Sequence, residues 1–326
     1  MKKKLAVWQL IKDSLESEIP VMLLYVLDSK GSSPGRQGFF MAVTTHGKME
    51  GSIGGGIMEH KFVEMAKDKL RQGSTNMPDG VVKKQIHDKS ATINQSGMIC
   101  SGEQTVLIYP IKQGELITIE SIIASLSNNG NGTLGLSPSG ISFSDSIPEQ
   151  PFSFSLKDED DWMYRERIGY ANHLYIIGGG HCAFALSRLM CTMDFYIHLF
   201  DDRKDLLTMQ QNEFAHEKKV IADYTELASI IPPGKNNYIV VMTFGYRTDD
   251  TAVRALLGKD FFYFGLMGSK KKIEKMFADY RDEDIEEHLL KAIHAPIGIP
   301  IKSETPEEIA VSIAAEIIQV KNRFDK

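Results

Sequence analysis

The chain has 326 residues, 42% hydrophobic and 25% charged, enough apolar side chain for two ordinary globular domains rather than one small one. Its formal net charge of -6 at pH 7 speaks against a dedicated nucleic-acid binder, whose footprint is basic. No apolar run approaches the roughly 18 residues of a membrane span, and Lys2-Lys3-Lys4 leads into Asp13, Glu16 and Glu18 rather than a signal-peptide core, so a cytoplasmic protein without a membrane partner is expected.

Residues 5–19 place Leu5, Trp8, Ile11 and Leu15 at helical spacing. Apolar runs at 21–27 and 39–44, each closed by turn residues, read as strands. The glycine cluster 51–56 then opens a helix in which Met58, Phe62, Met65 and Leu70 share a face. Strands follow at 81–86 and 105–109, and a helix at 117–126. Residues 127–150 turn to Ser, Asn, Gly and Pro, with short edge strands at 133–136 and 141–143. The charged stretch 157–167 marks the boundary between a mixed α+β domain, 1–165, and a second domain, 166–326.

The second half alternates strands (174–177, 196–200, 219–222, 238–242 and 262–264) with helices, the pattern of a doubly wound α/β parallel sheet covered on both faces. The last helix is announced by Thr305 as N-cap, Pro306 in its first position and Glu308 completing a capping box.

Within that half, the strand ending at Ile177 runs into Gly178-Gly179-Gly180-His181-Cys182-Ala183, a G-x-G-x-x-A string entering a helix. Gly178 permits a tight turn and Gly180 lets backbone approach a pyrophosphate, while Ala183 allows close helix packing, as in a Rossmann dinucleotide site. Asp201 closes the next strand, where such folds place the carboxylate that receives a ribose; the nearby Arg203 offers a 2′-phosphate partner instead, and the balance leans to NAD over NADP. The alternative is a set of structural glycines in a fold that has lost its nucleotide. His181 either touches a ligand phosphate or caps the helix. Gly268-Ser269, entering a helix ahead of three lysines, is a second anion-site candidate or a solvated basic helix start.

In the first half, Gly54, Gly55 and Gly56 precede a helix without the Lys-Ser/Thr of a P-loop, so they form an anion cradle or a close crossing rather than an ATP site. Glu59 lies in the first helical turn, where a carboxylate suits the macrodipole. Arg36, in a rigid Ser-Ser-Pro-Gly-Arg turn, is either a phosphate or pterin-edge ligand or a surface ion-pair partner. Of the three cysteines, Cys182 and Cys191 read as buried small hydrophobes on one helix. Cys100, in a small-residue loop, is either a soft metal ligand or an inert thiol.

Taken in order, Gly31-Ser32-Ser33-Pro34, the 51–56 glycines with Glu59, Cys100-Ser101-Gly102, the 174–183 string, Asp201-Asp202-Arg203, Gly268-Ser269-Lys270 and His294-Ala295-Pro296-Ile297-Gly298 resemble the XdhC/CoxI family of xanthine dehydrogenase accessory factors. The resemblance runs over nearly the whole chain and is weakest between 111 and 165. It implies a chaperone that binds the molybdenum cofactor and protects it while a cysteine-desulfurase-type partner installs the terminal sulfur. The cofactor is then handed to an apo molybdenum hydroxylase. On that reading Gly54–Gly56, Arg36 and Cys100 face Gly178, Gly180 and His181 across an interdomain cleft, with Cys100 toward the metal, and Glu59, Asp201, Gly268 and Ser269 are further cofactor-binding candidates. A homodimer is expected from the commonness of two-fold assemblies. The chain departs from many members in having Ser101 where they have Gly, and from some in having Ile57 where they have Cys. The competing expectations are an NAD(P)-dependent oxidoreductase, with His181 as its one candidate proton relay, and a non-catalytic dinucleotide sensor.

Overall fold

A computed structural model describes residues 2–72, 80–86 and 102–324. The chain divides into two compact units, the first ending at Gly169 and the second beginning at Tyr170.

The first unit contains α1 (Lys2–Glu16), β1 (Val21–Gly31), β2 (Phe40–Thr44), β3 (Met49–Gly51), α2 (Gly56–Gln72), β4 (Val81–Ile86), β5 (Gly102–Pro110), α3 (Leu116–Ser127), β6 (Gly132–Ser137), β7 (Gly140–Ser144), β8 (Phe152–Leu156) and β9 (Trp162–Ile168). These strands form two antiparallel sheets, ordered β3-β2-β1-β5-β4 and β7-β6-β9-β8. The central strand β1 is apolar on both sides because both its faces are covered. Leu23 and Tyr25 join a core with Trp8, Ile11 and Tyr164, while Met22 and Leu24 join another with Met58 and Phe62 from α2. β9 occupies the charged stretch that the sequence reading takes as a boundary, and residues 165 and 166 lie within it. Its alternation is real, with Trp162, Tyr164, Glu166 and Ile168 inward, but one inward position carries a carboxylate.

That carboxylate is paired. Glu166 accepts from the Tyr25 hydroxyl at 2.5 Å, the Tyr164 hydroxyl at 2.8 Å and Lys4 Nζ at 2.9 Å. Burial, then the Glu166 charge, pushes both phenols above their ordinary range.

The second unit contains β10 (Asn172–Ile177), α4 (His181–Met190), β11 (Phe195–Asp201), α5 (Leu207–Gln210), β12 (Glu217–Val220), α6 (Leu227–Ile230), β13 (Gly234–Val241), α7 (Tyr246–Leu256), β14 (Phe261–Leu266), α8 (Lys270–Asp282), α9 (Glu287–Lys291) and α10 (Pro306–Phe324). Its five strands are all parallel, in the order β12-β11-β10-β13-β14. Leu174, Ile176 and Leu199 pack on the side of α4 and α10, whereas Tyr175, Ile177 and Phe200 pack on the side of α7 and α8. The fold is therefore doubly wound, as the strand–helix alternation predicts. The segment carrying His294 adds to β14: His294 N–H donates to Phe264 O at 2.7 Å and Ile297 N–H to Leu266 O at 3.0 Å. The expected capping box is present, with Glu308 N–H on Thr305 Oγ1 and Thr305 N–H on Glu308 Oε2, each at 3.2 Å.

Candidate functional site

The sheet order reverses direction between β10 and β13, so their carboxyl ends open a crevice at the edge of the second unit. Gly178 turns out of β10 at φ 110°, and a Cβ there would collide with the Met242 carbonyl at the end of β13. Only glycine lets the two strand ends cross this closely. Gly179 packs against Leu206 and Met209, and its carbonyl accepts from Thr208 Oγ1 at 2.6 Å. Gly180 is the N-cap of α4 and no side chain caps that helix; the space where its Cβ would stand is open, and His181 beside it is exposed. The first-turn N–H groups of α4 thus point outward under a positive helix end.

Asp201 is fully buried, and four N–H donors converge on it. Oδ2 receives Gly179 N at 2.7 Å and Arg203 Nη2 at 2.8 Å, while Oδ1 receives Arg203 N at 2.9 Å and Arg203 Nε at 2.8 Å. Burial by itself raises this carboxyl; the hydrogen bonds from the Arg203 side chain, Gly179 and the Arg203 amide outweigh it and hold the group below the usual carboxylate range. The other side of Arg203 faces the ring of Phe244, its guanidinium carbon 5.0 Å from the centroid. Phe244 is 67% exposed.

The neighbouring strand ends hold a second buried carboxylate that the sequence reading missed. Asp249 Oδ1 accepts Thr243 N at 2.9 Å and Thr243 Oγ1 at 2.6 Å, and Oδ2 pairs with Lys272 Nζ. Of the lysines after Gly268-Ser269, Lys270 and Lys271 are exposed while Lys272 turns inward. Ser269 caps α8, its hydroxyl accepting from Lys272 N at 3.3 Å. A Cβ at Gly268 would press on the Lys272 stem, so this glycine makes room for the lysine. The signal available in the sequence was Thr243 placed ahead of a first-turn aspartate on α7.

In the first unit three quoted motifs meet. A Cβ at Gly35 would collide with Ile53 O, one at Gly54 with the Gly35 backbone, and one at Gly102 with Ser32 O. Gln104 staples two of the loops, donating from Nε2 to Gly35 O at 3.0 Å and Ile53 O at 3.2 Å. Gly54, Gly55 and Gly56 all have positive φ. The donors of this loop are taken by Glu59, whose Oε2 accepts from Ser52 Oγ at 2.6 Å, Ile53 N at 2.9 Å and Gly55 N at 3.0 Å. Arg36 is exposed, with Nη1 on Gly31 O at 2.9 Å. Cys100 lies outside the described residues. Cys182, on α4, and Cys191, in the turn just past its end, are half-buried rather than fully buried, since each sits at the margin of the core. Among the described residues there is no cluster of three metal-ligating side chains, and no helix is long and apolar enough to cross a membrane.

A Bacillus halodurans structure described as a xanthine dehydrogenase has the same fold, with a TM-score of 0.71 at 20% identity over 97% of this chain and 96% of that one. The Escherichia coli K12 protein YqeB is 24% identical over 311 residues, 94% of this chain and 44% of that protein. A Bacillus subtilis 168 protein described as a probable xanthine dehydrogenase component is 28% identical over 167 residues, 51% of this chain and 48% of that protein. The chain thus spans about half the length of the curated relatives it matches. Residues 14–79 match the XdhC and CoxI family and residues 174–317 the XdhC Rossmann domain. The chain accordingly belongs to the XdhC/CoxI family, its second unit being that family's Rossmann domain.

Proposed function

We propose that the chain is an accessory factor for a xanthine-dehydrogenase-type molybdenum hydroxylase, carrying the molybdenum cofactor as cargo rather than oxidising xanthine itself. The cargo is held while a cysteine-desulfurase-type donor supplies its terminal sulfur, and then passes to the apo-hydroxylase; the working unit is a homodimer. Family membership supports the client class.

The observation that carries the reading is the uncapped start of α4 beside Gly180. The cargo is a phosphate ester, and an outward-facing helix N-terminus lined by glycine is suited to a phosphate. The glycine cradle of the first unit is already filled by a carboxylate of the chain, Glu59. Two negative groups would compete for the same donors, so the phosphate is assigned to Gly178, Gly180 and His181. Gly268 and Ser269 belong to the rim of that site. Asp201 shapes it by fixing Gly179. In the first unit Gly54–Gly56 and Arg36 remain candidate contacts, and Cys100 is proposed as a soft ligand for molybdenum on its chemistry alone.

Anaerobic retention of the cofactor by purified protein is the test, with wild type beside Cys100→Ala and Gly180→Ala. Retention by wild type and loss in both variants is expected. Retention by Cys100→Ala alone removes the thiol from the site and keeps the chaperone. No retention by wild type refutes the reading.

A further inference from the structure

Among the described residues the first unit has four lateral sheet edges, and three of them are closed to another strand. β3 is three residues long with Glu50 at its centre, and β4 carries Lys83 and Lys84. On β7 the Ile141 N–H is already donated to Glu115 Oε1 at 2.9 Å. Short length, charge and a side-chain cap are devices by which folded proteins keep edges from pairing. β8 has none of them. Its five residues, Phe152-Ser153-Phe154-Ser155-Leu156, are uncharged, with Phe152 36% and Leu156 48% exposed. Lys157, the first charge beyond the strand, turns back to Asp161 at 2.8 Å.

The ladder shows which peptide groups are open. Arg167 N–H donates to Pro151 O and Lys157 N–H to Asp161 O, each at 2.9 Å, so the odd-numbered residues of β8 bond to β9. The peptide groups of Phe152, Phe154 and Leu156 therefore point outward. Their side chains lie on the face of Trp162 and Tyr164, where Phe154 packs against the core. On the other face Ser153 and Ser155 are small, and β9 sets Arg165 beside Ser153 and Arg167 beside Pro151. Arg165 is exposed, and Arg167 Nε is buried without a partner among the described residues.

This edge matches itself. A two-fold axis through Phe154 sets Phe152 of one copy opposite Leu156 of the other, and all three outward residues then exchange backbone hydrogen bonds. The ends match as well. The turn at 157–161 holds four carboxylates and one lysine, whereas the start of β8 lies beside Arg165 and Arg167 and its flank 146–151 carries one carboxylate, Glu149. Antiparallel pairing brings the acidic turn of each copy toward the arginine end of the other. Parallel pairing would set the two acidic turns together.

We propose that β8 is the surface through which two copies of this chain associate, an antiparallel β8–β8 pair joining their β7-β6-β9-β8 sheets into one continuous sheet. The proposal rests on the homodimer of the preceding reading and is independent of the cargo.

Sedimentation velocity of the full chain over a concentration series is the test, with Leu156→Lys and Phe152→Lys as separate variants. Either lysine places a charge on the edge at an exposed position, and circular dichroism melting checks each fold. We expect wild type to dimerise and each variant to raise the dissociation constant about tenfold or more. Added NaCl weakens the wild-type dimer, because the end charges attract. Amide exchange at Phe152, Phe154 and Leu156 of wild type slows as concentration rises, a readout that needs neither variant to fold. A dimer that persists in the folded variants, tightens with salt, or leaves those three amides indifferent to concentration overturns the inference and spares the homodimer. A wild type that stays monomeric overturns both, and cofactor retention then still judges the chaperone.

Discussion

Replacing Asp201 by Asn changes one oxygen to NH2 with almost no change of shape, so its effect isolates the hydrogen-bond pattern of the crest. Whichever oxygen is exchanged, two of the four N–H donors then face an N–H group: Gly179 N with Arg203 Nη2, or Arg203 N with Arg203 Nε. A buried donor left unsatisfied costs about 1–3 kcal/mol. Arg203 recovers some of this from water because its side chain is 39% exposed, so the net loss is set at about 3 kcal/mol. For a unit of this size that lowers the midpoint of thermal unfolding by about 6–12 °C. The chain's two tryptophans, Trp8 and Trp162, are both in the first unit, which separates the readouts. Far-UV circular dichroism reports a transition of the second unit shifted down, while tryptophan fluorescence reports the first unit. Hydrogen exchange on peptides containing Gly179 and Arg203 gives the local view. The wild-type carboxyl is held below its ordinary value, so its contribution is complete above about pH 4 and is lost as pH falls through the folded value. The destabilisation by Asn is therefore constant from pH 5 to 8 and shrinks in stronger acid. A shift below about 1 kcal/mol would refute the assignment of Asp201 as a saturated acceptor. So would a destabilisation that grows in acid.

Gly178→Ala, which places a methyl against the Met242 carbonyl at a positive φ, is expected to cost at least 3 kcal/mol in urea unfolding. Gly180→Ala, with open space and an ordinary φ, stays within about 1 kcal/mol of wild type. Glu59→Ala removes the acceptor of three donors, and the first unit loses about 1–3 kcal/mol, read by tryptophan fluorescence in urea. Tyr25 and Tyr164 have phenols raised by burial and by Glu166, so their stabilisation is present below about pH 10 and lost as pH rises further. Alkaline titration is expected to find these phenols un-ionised until the first unit unfolds. Tyr25→Phe leaves Glu166 one donor short and lowers stability at pH 7 by about 1–3 kcal/mol in the same urea assay.

The second unit was the more legible half because its signals are local. A strand running into G-x-G-x-x-A fixes the turn, and Thr305-Pro306-Glu307-Glu308 fixes a helix start within four residues. Asp201 was legible as a position but not as a partner, since the sequence does not say that Arg203 folds back onto it. Asp249 and Lys272 were invisible for the same reason: their pairing depends on two strand ends being neighbours in the sheet. In the first unit Gly54 was legible as a request for close approach, whereas Gly35 and Gly102 read only as turn and loop residues, because the crossings they permit are long-range facts. β9 was passed over because Glu166 occupies an inward position, and two of its three partners, Tyr25 and Lys4, come from other parts of the fold. Glu59 looked like an ordinary first-turn acid, and only the folded loop shows it serving as the anion of its own cradle.

The strap carrying His294 along β14 also governs how this molecule can meet others. An open sheet has two lateral edges, each a row of unpaired peptide groups that invites another strand. On one side the strap takes the peptide groups of Phe264 and Leu266 into its own hydrogen bonds. On the other, β12 is four residues long and displays Glu217, Lys218 and Lys219 to solvent, which carries charge into any attempted lateral pairing. With both margins guarded, fusion of two such sheets into a continuous one is disfavoured, and any association through the second unit is directed to its helices and loops, where a contact can form and release without rewriting the backbone pairing of the Rossmann core.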